Sequence, residues 1–281
     1  MTTRVSVDFI ASDRVSITDR GFTYGDGLFE TLRIVGGRAP LWPRHEARLA
    51  LGCERLRLPL PDMSAIRDEA IRLAEGLDDA AARITLTRGT GTRGYAPPPA
   101  PRPTLAVSVA PLAPLVLDTS ASVDGVAVRL CATRLAIQPL FAGLKHLNRL
   151  EQVMARAEWD DPAIGEGLML DTAGDLVCAT AANLFAVFSG TLVTPLVDRC
   201  GVAGVARAEV LAVRDVAEVR LNPARLAEAD EVFLTSAVRG ILPVRVFATR
   251  TWQPGPVTRA LQAHWRGIGL SSPTGFEGPD R

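Results

Sequence analysis

The chain is predicted to be a mixed α/β (α+β) protein of two domains: a small N-terminal α/β domain and a larger, strand-rich C-terminal domain with surrounding helices. Three observations predict this. Its 281 residues suit two domains of ordinary size, each with an ample core. Strand and helix patterns alternate over the first hundred-odd residues, whereas strands dominate the rest. Pro111-Leu112-Ala113-Pro114 separates the two patterns, which places a small domain at 1–112, a linker at 113–117 and a large domain at 118–281.

Taken in order, Arg4 to Ile10 reads as a strand, and Glu30 to Val35 as another that ends at the turn Gly36-Gly37. Trp42 to Arg57 has Pro43 in its first turn and Leu49, Cys53 and Leu56 at helical spacing, so it is a helix. Met63 to Glu75 is a second helix, closed by Gly76. Ala82 to Arg88 and Thr104 to Ala110 alternate as strands and are expected to pair across a proline-rich loop. Beyond the linker, Val126 to Cys131 is a strand. Leu147 to Trp159 is a helix expected to turn Leu147, Leu150, Val153, Met154 and Ala157 inward. Gly167–Leu170, Leu176–Thr180, Leu184–Phe188 and Thr191–Thr194 form a run of strands with tight turns at Ala173-Gly174-Asp175 and Ser189-Gly190. A helix at Val205–Val216 follows, then strands near Glu218–Leu221 and Glu231–Leu234. The Gly/Ser/Pro-rich stretch from Gly267 on reads as a frayed tail.

Composition narrows the function. Net charge is zero with 47% apolar and 22% charged residues, so no basic surface is offered to nucleic acid or anionic lipid. No apolar run is long enough for a membrane span or a secretory leader, which makes the cytoplasm the expected compartment. Four cysteines and three histidines are scattered without metal-ligand spacing, so no metal site is expected.

One residue type stands out. Of the 31 basic side chains, a single one is lysine, Lys145, and all the others are arginine. Arginine evidently serves wherever positive charge alone is needed. An ammonium, unlike guanidinium, can lose its proton and act as nucleophile or base. Lys145 is therefore the candidate for chemistry that needs a neutral amine.

Other motifs are weaker singly. Gly89-Thr90-Gly91-Thr92-Arg93-Gly94 matches the dinucleotide pattern GxGxxG, but Tyr95-Ala96-Pro97-Pro98-Pro99 follows and cannot open the helix that such a site requires. It reads better as a loop presenting Arg93 and Tyr95. Tyr24-Gly25-Asp26-Gly27 is a tight turn before a strand, and His45-Glu46-Ala47-Arg48 lies on a helix. Gly201 to Gly204 precede the Val205 helix, whose N-terminus can offer N–H groups to a phosphate.

Jointly, and in this order, Tyr24-Gly25-Asp26-Gly27-Leu28-Phe29-Glu30-Thr31, His45 to Leu49, Gly143-Leu144-Lys145, Ala182-Asn183-Leu184-Phe185 and Gly201 to Arg207 resemble class IV (fold-type IV) pyridoxal-phosphate enzymes. The resemblance spans about residues 15 to 245. Within the family, Ala142 to Val153 is most similar to the lysine segment of the aminodeoxychorismate lyases. Arg88 to Tyr95 and Ala181 to Phe185 also resemble the lyase versions. The resemblance implies pyridoxal 5'-phosphate as cofactor, a small-molecule substrate and a homodimer. It implies a lyase that converts 4-amino-4-deoxychorismate to 4-aminobenzoate and pyruvate for folate biosynthesis. A class IV aminotransferase stays open as the alternative.

Residue by residue, the resemblance makes Lys145 the Schiff-base lysine and proton-transferring base. Arg48 becomes the grip on the cofactor phosphate, with the amides of Val205 and Ala206 and the Ser236-Ala237 loop beside it. Arg93, Tyr95 and Phe29 become substrate-binding candidates, the first two for its carboxylate. Thr31 falls where the lyases present a hydroxyl near the reacting centre. One position departs: Cys178 stands where the family has a glutamate facing the cofactor's pyridine nitrogen. A thiol is a weak hydrogen-bond partner, so this chain is expected to be less suited to transamination. A cofactor-binding protein with reduced or lost activity is the third reading.

Overall fold

A computed structural model describes residues 3–112 and 119–270; the expected linker at 113–117 lies outside the described residues, as does the tail from 271 on. The N-terminal half contains β1 (Arg4–Val7), α1 (Arg20–Tyr24), β2 (Gly27–Val35), α2 (Trp42–Leu56), α3 (Met63–Leu73), β3 (Asp79–Thr87) and β4 (Thr104–Pro111). The strands form one antiparallel sheet, ordered β1-β4-β3-β2. Ala80, Ala82, Ile84 and Leu86 recur at period two along β3, so one face of the sheet is apolar and packs on Leu49 and Cys53 of α2 and Ile66 and Ala70 of α3. The expected pairing across the proline-rich loop is present as β3 with β4.

The second half contains α4 (Thr119–Asp124), β5 (Val126–Leu130), α5 (Leu150–Arg156), β6 (Ile164–Leu170), β7 (Leu176–Ala179), β8 (Asn183–Phe188) and β9 (Thr191–Pro195). It continues with α6 (Val205–Val213), β10 (Ala217–Val219), α7 (Pro223–Leu226), β11 (Glu231–Ser236), β12 (Gly240–Phe247), β13 (Arg250–Thr251) and α8 (Pro256–Gly267). Its sheet runs β10-β9-β8-β11-β12-β5-β6-β7, with β13 paired to β12. Both faces are covered, which is why its central strands read as continuous apolar runs. Leu184, Ala186, Val232 and Leu234 pack into one core. Phe185, Val187 and Phe233 point the other way, toward Val205 and Val210 of α6 and Leu261 and Trp265 of α8.

Three sequence expectations need correction. The first strand stops at Val7, because Asp8 and Phe9 take positive φ (51° and 66°) in a turn closed by reciprocal Val7–Ile10 backbone bonds. The helix expected from Leu147 begins at Leu150 and ends at Arg156; Leu147 instead pairs with the start of β2, its N–H donating to Gly27 O at 3.0 Å. Its inward face was also misread. Leu150, Val153 and Met154 are exposed, and Ala155 is the buried residue. Finally, β12 and α8 were not expected: Pro243 interrupts the strand pattern of β12, yet it pairs in register with Phe233.

Candidate active site

Lys145 lies on the segment between β5 and β6 that packs against β2 of the first sheet. Phe29 N–H donates to Lys145 O at 2.9 Å on the β2 side. On the other side, Gly143 N–H donates to Gly201 O and Ala203 N–H to Gly143 O, both at 3.0 Å. Gly143 takes φ +79°, a conformation that favours glycine, so the Gly-Leu-Lys sequence has a backbone reason. Clamped on both sides, Lys145 extends into a cavity of about 420 Å³ walled by β2, α2, β7, the α6 N-terminus and the β11–β12 turn. Burial, then the charge of Arg48, pushes the Lys145 amine down to about 7. The neutral amine is therefore accessible near neutral pH. Phe29 covers it, with its ring centroid 4.1 Å from Nζ, and Thr31 lines the same wall.

One end of the cavity is built to hold an anion. Arg48 forks onto Glu30, Nε to Oε1 at 2.8 Å and Nη2 to Oε2 at 2.5 Å, while Nη1 holds Ala203 O at 3.0 Å. His45 Nδ1 lies 2.6 Å from Glu30 Oε2. Burial alone would raise the Glu30 carboxyl, but Arg48 and the His45 hydrogen bond outweigh it and hold it at about 2. Burial also lowers His45, which stays neutral and donates Nδ1–H to that carboxylate. Beside Arg48, α6 begins at Gly204 with no side-chain cap, and its first internal bond is Ala208 N–H to Gly204 O. The amides of Val205 and Ala206 are thus outside the helix's own ladder and line the cavity. A Cβ on Gly204 would sit 2.0 Å from Asn183 Oδ1, so this approach requires glycine. Thr235 Oγ1 is buried on the same wall without a partner. An amine that can shed its proton, beside a cationic cradle with an orphaned hydroxyl, fits a phosphate-bearing aldehyde.

The far wall differs. Cys178 on β7 is buried, and burial followed by the nearby Cys200 pushes its thiol up to about 12, so it is uncharged. Arg149 and Gln152 line the cavity with it, and Arg239 reaches in while bonded to buried Glu166 at 2.5 Å. Glu166 also accepts from Thr180 Oγ1.

The structure brings Lys145, Arg48, Phe29, Thr31, Cys178, Val205, Ala206, Ser236 and Ala237 to one cavity. It does not bring Arg93 and Tyr95 there within the chain. Tyr95 is 85% exposed and Arg93 is exposed too. Their loop is held by Arg20, which donates to the carbonyls of Gly94, Tyr95 and Ala96, and by Tyr24 Oη, which accepts from Gly94 N–H. Sequence reasoning missed Glu30, His45, Arg149, Gln152, Thr235 and Arg239. Arg149 and Gln152 could have been found from their helical spacing just after the unique lysine. Glu30 carried no local signal.

Comparison with known proteins shows the family and the fold. The family model for Amino-transferase class IV matches residues 27–247. The chain is 33% identical over 269 residues to aminodeoxychorismate lyase of Vibrio harveyi, covering 92% of this chain and 98% of that protein. The solved 4-amino-4-deoxychorismate lyase of Pseudomonas aeruginosa superposes with a TM-score of 0.86 at 45% identity, covering 94% of this chain and 98% of that one. A hypothetical aminotransferase from Mycobacterium tuberculosis, solved in a PLP-bound form, shares the fold at 22% identity and a TM-score of 0.77, covering 92% and 93%.

Proposed function

The chain belongs to the class IV aminotransferase family, and within it we propose that it is a pyridoxal-phosphate-dependent lyase converting 4-amino-4-deoxychorismate to 4-aminobenzoate and pyruvate. The observation that carries the reading is a single amine, lowered to about 7, facing a cavity whose other end is an anion cradle. Lys145 would hold the cofactor covalently, with Arg48, the Val205 and Ala206 amides and the Ser236-Ala237 turn around its phosphate. Bound there, pyridoxal phosphate supplies an electron-accepting ring conjugated to the substrate's amine.

With substrate bound to that group, Lys145 would be a free base able to take the proton from the amine-bearing carbon. The neighbouring carbon–oxygen bond breaks, the ring becomes aromatic, and enolpyruvate leaves and takes up a proton to give pyruvate. Thr31, on the β2 wall of the same cavity, would relay to it the proton that Lys145 has taken. Phe29 keeps water from the amine. Exposed Leu150, Val153 and Met154 on α5 give a second copy an apolar face. We therefore read the protein as a cytosolic homodimer in folate biosynthesis; a monomer in sedimentation would remove the dimer from this reading.

Purified holoenzyme given aminodeoxychorismate and no keto acid should release pyruvate and 4-aminobenzoate in equal amounts. Turnover that requires an added keto acid would make it an aminotransferase instead. Cys178 supports the lyase assignment, because its uncharged thiol offers the ring nitrogen no counter-charge. Cys178→Glu should raise keto-acid-dependent amino transfer by about tenfold or more, the worth of one charge-assisted hydrogen bond. No gain in transfer would remove Cys178 as the residue that sets reaction type.

A further inference from the structure

Four cationic residues line the cavity, and three are accounted for. Arg48 is neutralised by Glu30, Arg239 by Glu166, and Lys145 can lose its charge. Arg149 is different: among the described residues no carboxylate pairs with it. Its Nη2 donates to His146 Nε2 at 2.5 Å, a neutral acceptor, since burial and then Arg149 itself push His146 down to about 4. Its Nε is buried with no partner, and burial works against its charge. One turn on, Gln152 lines the same wall and its buried Oε1 is unpaired as well. A buried guanidinium without an anion and a buried amide without a partner are both costly, and side by side on a cavity wall they call for a polar ligand. The anion cradle by Arg48 is a separate feature built from α2 and α6, so this second one is free for substrate.

We propose that Arg149 and Gln152 form a subsite that receives a carboxylate of the substrate, with Arg149 as its charged fork and Gln152 turning its side-chain amide to donate an N–H beside it. The inference rests on the lyase reading for the identity of the substrate, which carries two carboxylates. Arg149 meets one of them, and His146 fixes the guanidinium by taking one Nη2 hydrogen, which leaves Nε–H and the second Nη2 hydrogen as donors for it. The subsite acts on binding, so its loss should appear in KM more than in kcat.

The test uses holoenzyme and two readouts. Chorismate has the same two carboxylates and a hydroxyl in place of the amine, so it binds without displacing Lys145, and its Kd is measured by calorimetry. KM for aminodeoxychorismate is measured beside it. Arg149→Met should raise both by about tenfold to a hundredfold, and Gln152→Leu by about twofold to tenfold. Arg149→Lys, which keeps charge but not the fork, should fall between wild type and Arg149→Met. The cofactor's absorbance and retention should match wild type in all three. Unchanged Kd and KM would overturn the proposal, and so would cofactor loss with chorismate affinity intact, which would assign Arg149 to the cofactor. Absence of pyruvate release from wild type would defeat the lyase reading alone. The calorimetric arm would then decide: chorismate bound by wild type and lost in Arg149→Met upholds the subsite, and no binding by wild type overturns it.

Discussion

Lys145→Arg is expected to abolish pyruvate release, lowering turnover by about 10⁴-fold or more. Guanidinium cannot deprotonate in a protein, so the variant loses both the nucleophile that holds the cofactor and the base, and general-base catalysis alone is worth roughly 10²–10⁴. The substitution keeps a cation near Phe29, which separates loss of chemistry from loss of charge. Borohydride should fix the cofactor on residue 145 in wild type and nowhere in the variant. The pH dependence follows from the same group. Its amine is lowered to about 7, so reactivity of the apoprotein toward the aldehyde should rise through about pH 7 and level off above it. Between about pH 7 and 10 the unfolded chain keeps a proton on Lys145 that the folded chain has released. Stability of the apoprotein gains from this group as pH rises across that window, and the gain is absent in Lys145→Arg. Turnover within tenfold of wild type would reject Lys145 as the reacting amine.

How far the sequence could be read depended on whether a signal was local. Period-two alternation is a property of neighbours, and the β3–β4 pair and its apolar face were legible from it. So was α2, with Pro43 at its start and Leu49 and Cys53 inward. α5 misled because its apolar residues do repeat at helical spacing, yet Leu150, Val153 and Met154 are exposed in the single chain. Helical period says that a stripe exists and not what covers it. In the site, Lys145 was visible through its rarity and Arg48 through its motif. Glu30 is an acid on a strand between Phe29 and Thr31, and only folding brings His45 and Arg48, 15 and 18 residues on, to its carboxylate. Arg93 and Tyr95 lie outside the cavity of their own chain for the opposite reason: a motif names residues, but the turn held by Arg20 decides where they point.

Glu30→Gln should destabilise the apoprotein by about 3–5 kcal/mol, the cost of removing one partner from a buried ion pair. Glu30 is 1% exposed and is the shared acceptor for Arg48 and His45. An amide of the same shape offers Arg48 one acceptor atom where there were two charged ones, and it leaves a largely buried guanidinium without a counter-charge. An independent figure agrees. Lowering a carboxyl from 4.5 to about 2 corresponds to on the order of 3 kcal/mol of stabilisation. The sign is that of a depressed acid: the contribution is fully present above about pH 4.5 and is lost as pH falls through about 2. Denaturant unfolding of wild type should therefore weaken over that acid range, and Glu30→Gln should lack this component while starting lower. For a chain this long, the melting temperature should fall by roughly 6–20 °C. Arg48 would also lose the fork that aims it at the α6 N-terminus, so inorganic phosphate and the phosphorylated aldehyde should both bind at least about tenfold more weakly. Unfolding free energy within about 1 kcal/mol of wild type at pH 7 would show that Arg48 finds another partner, and the Glu30–Arg48 pair would no longer explain how this end of the cavity is held.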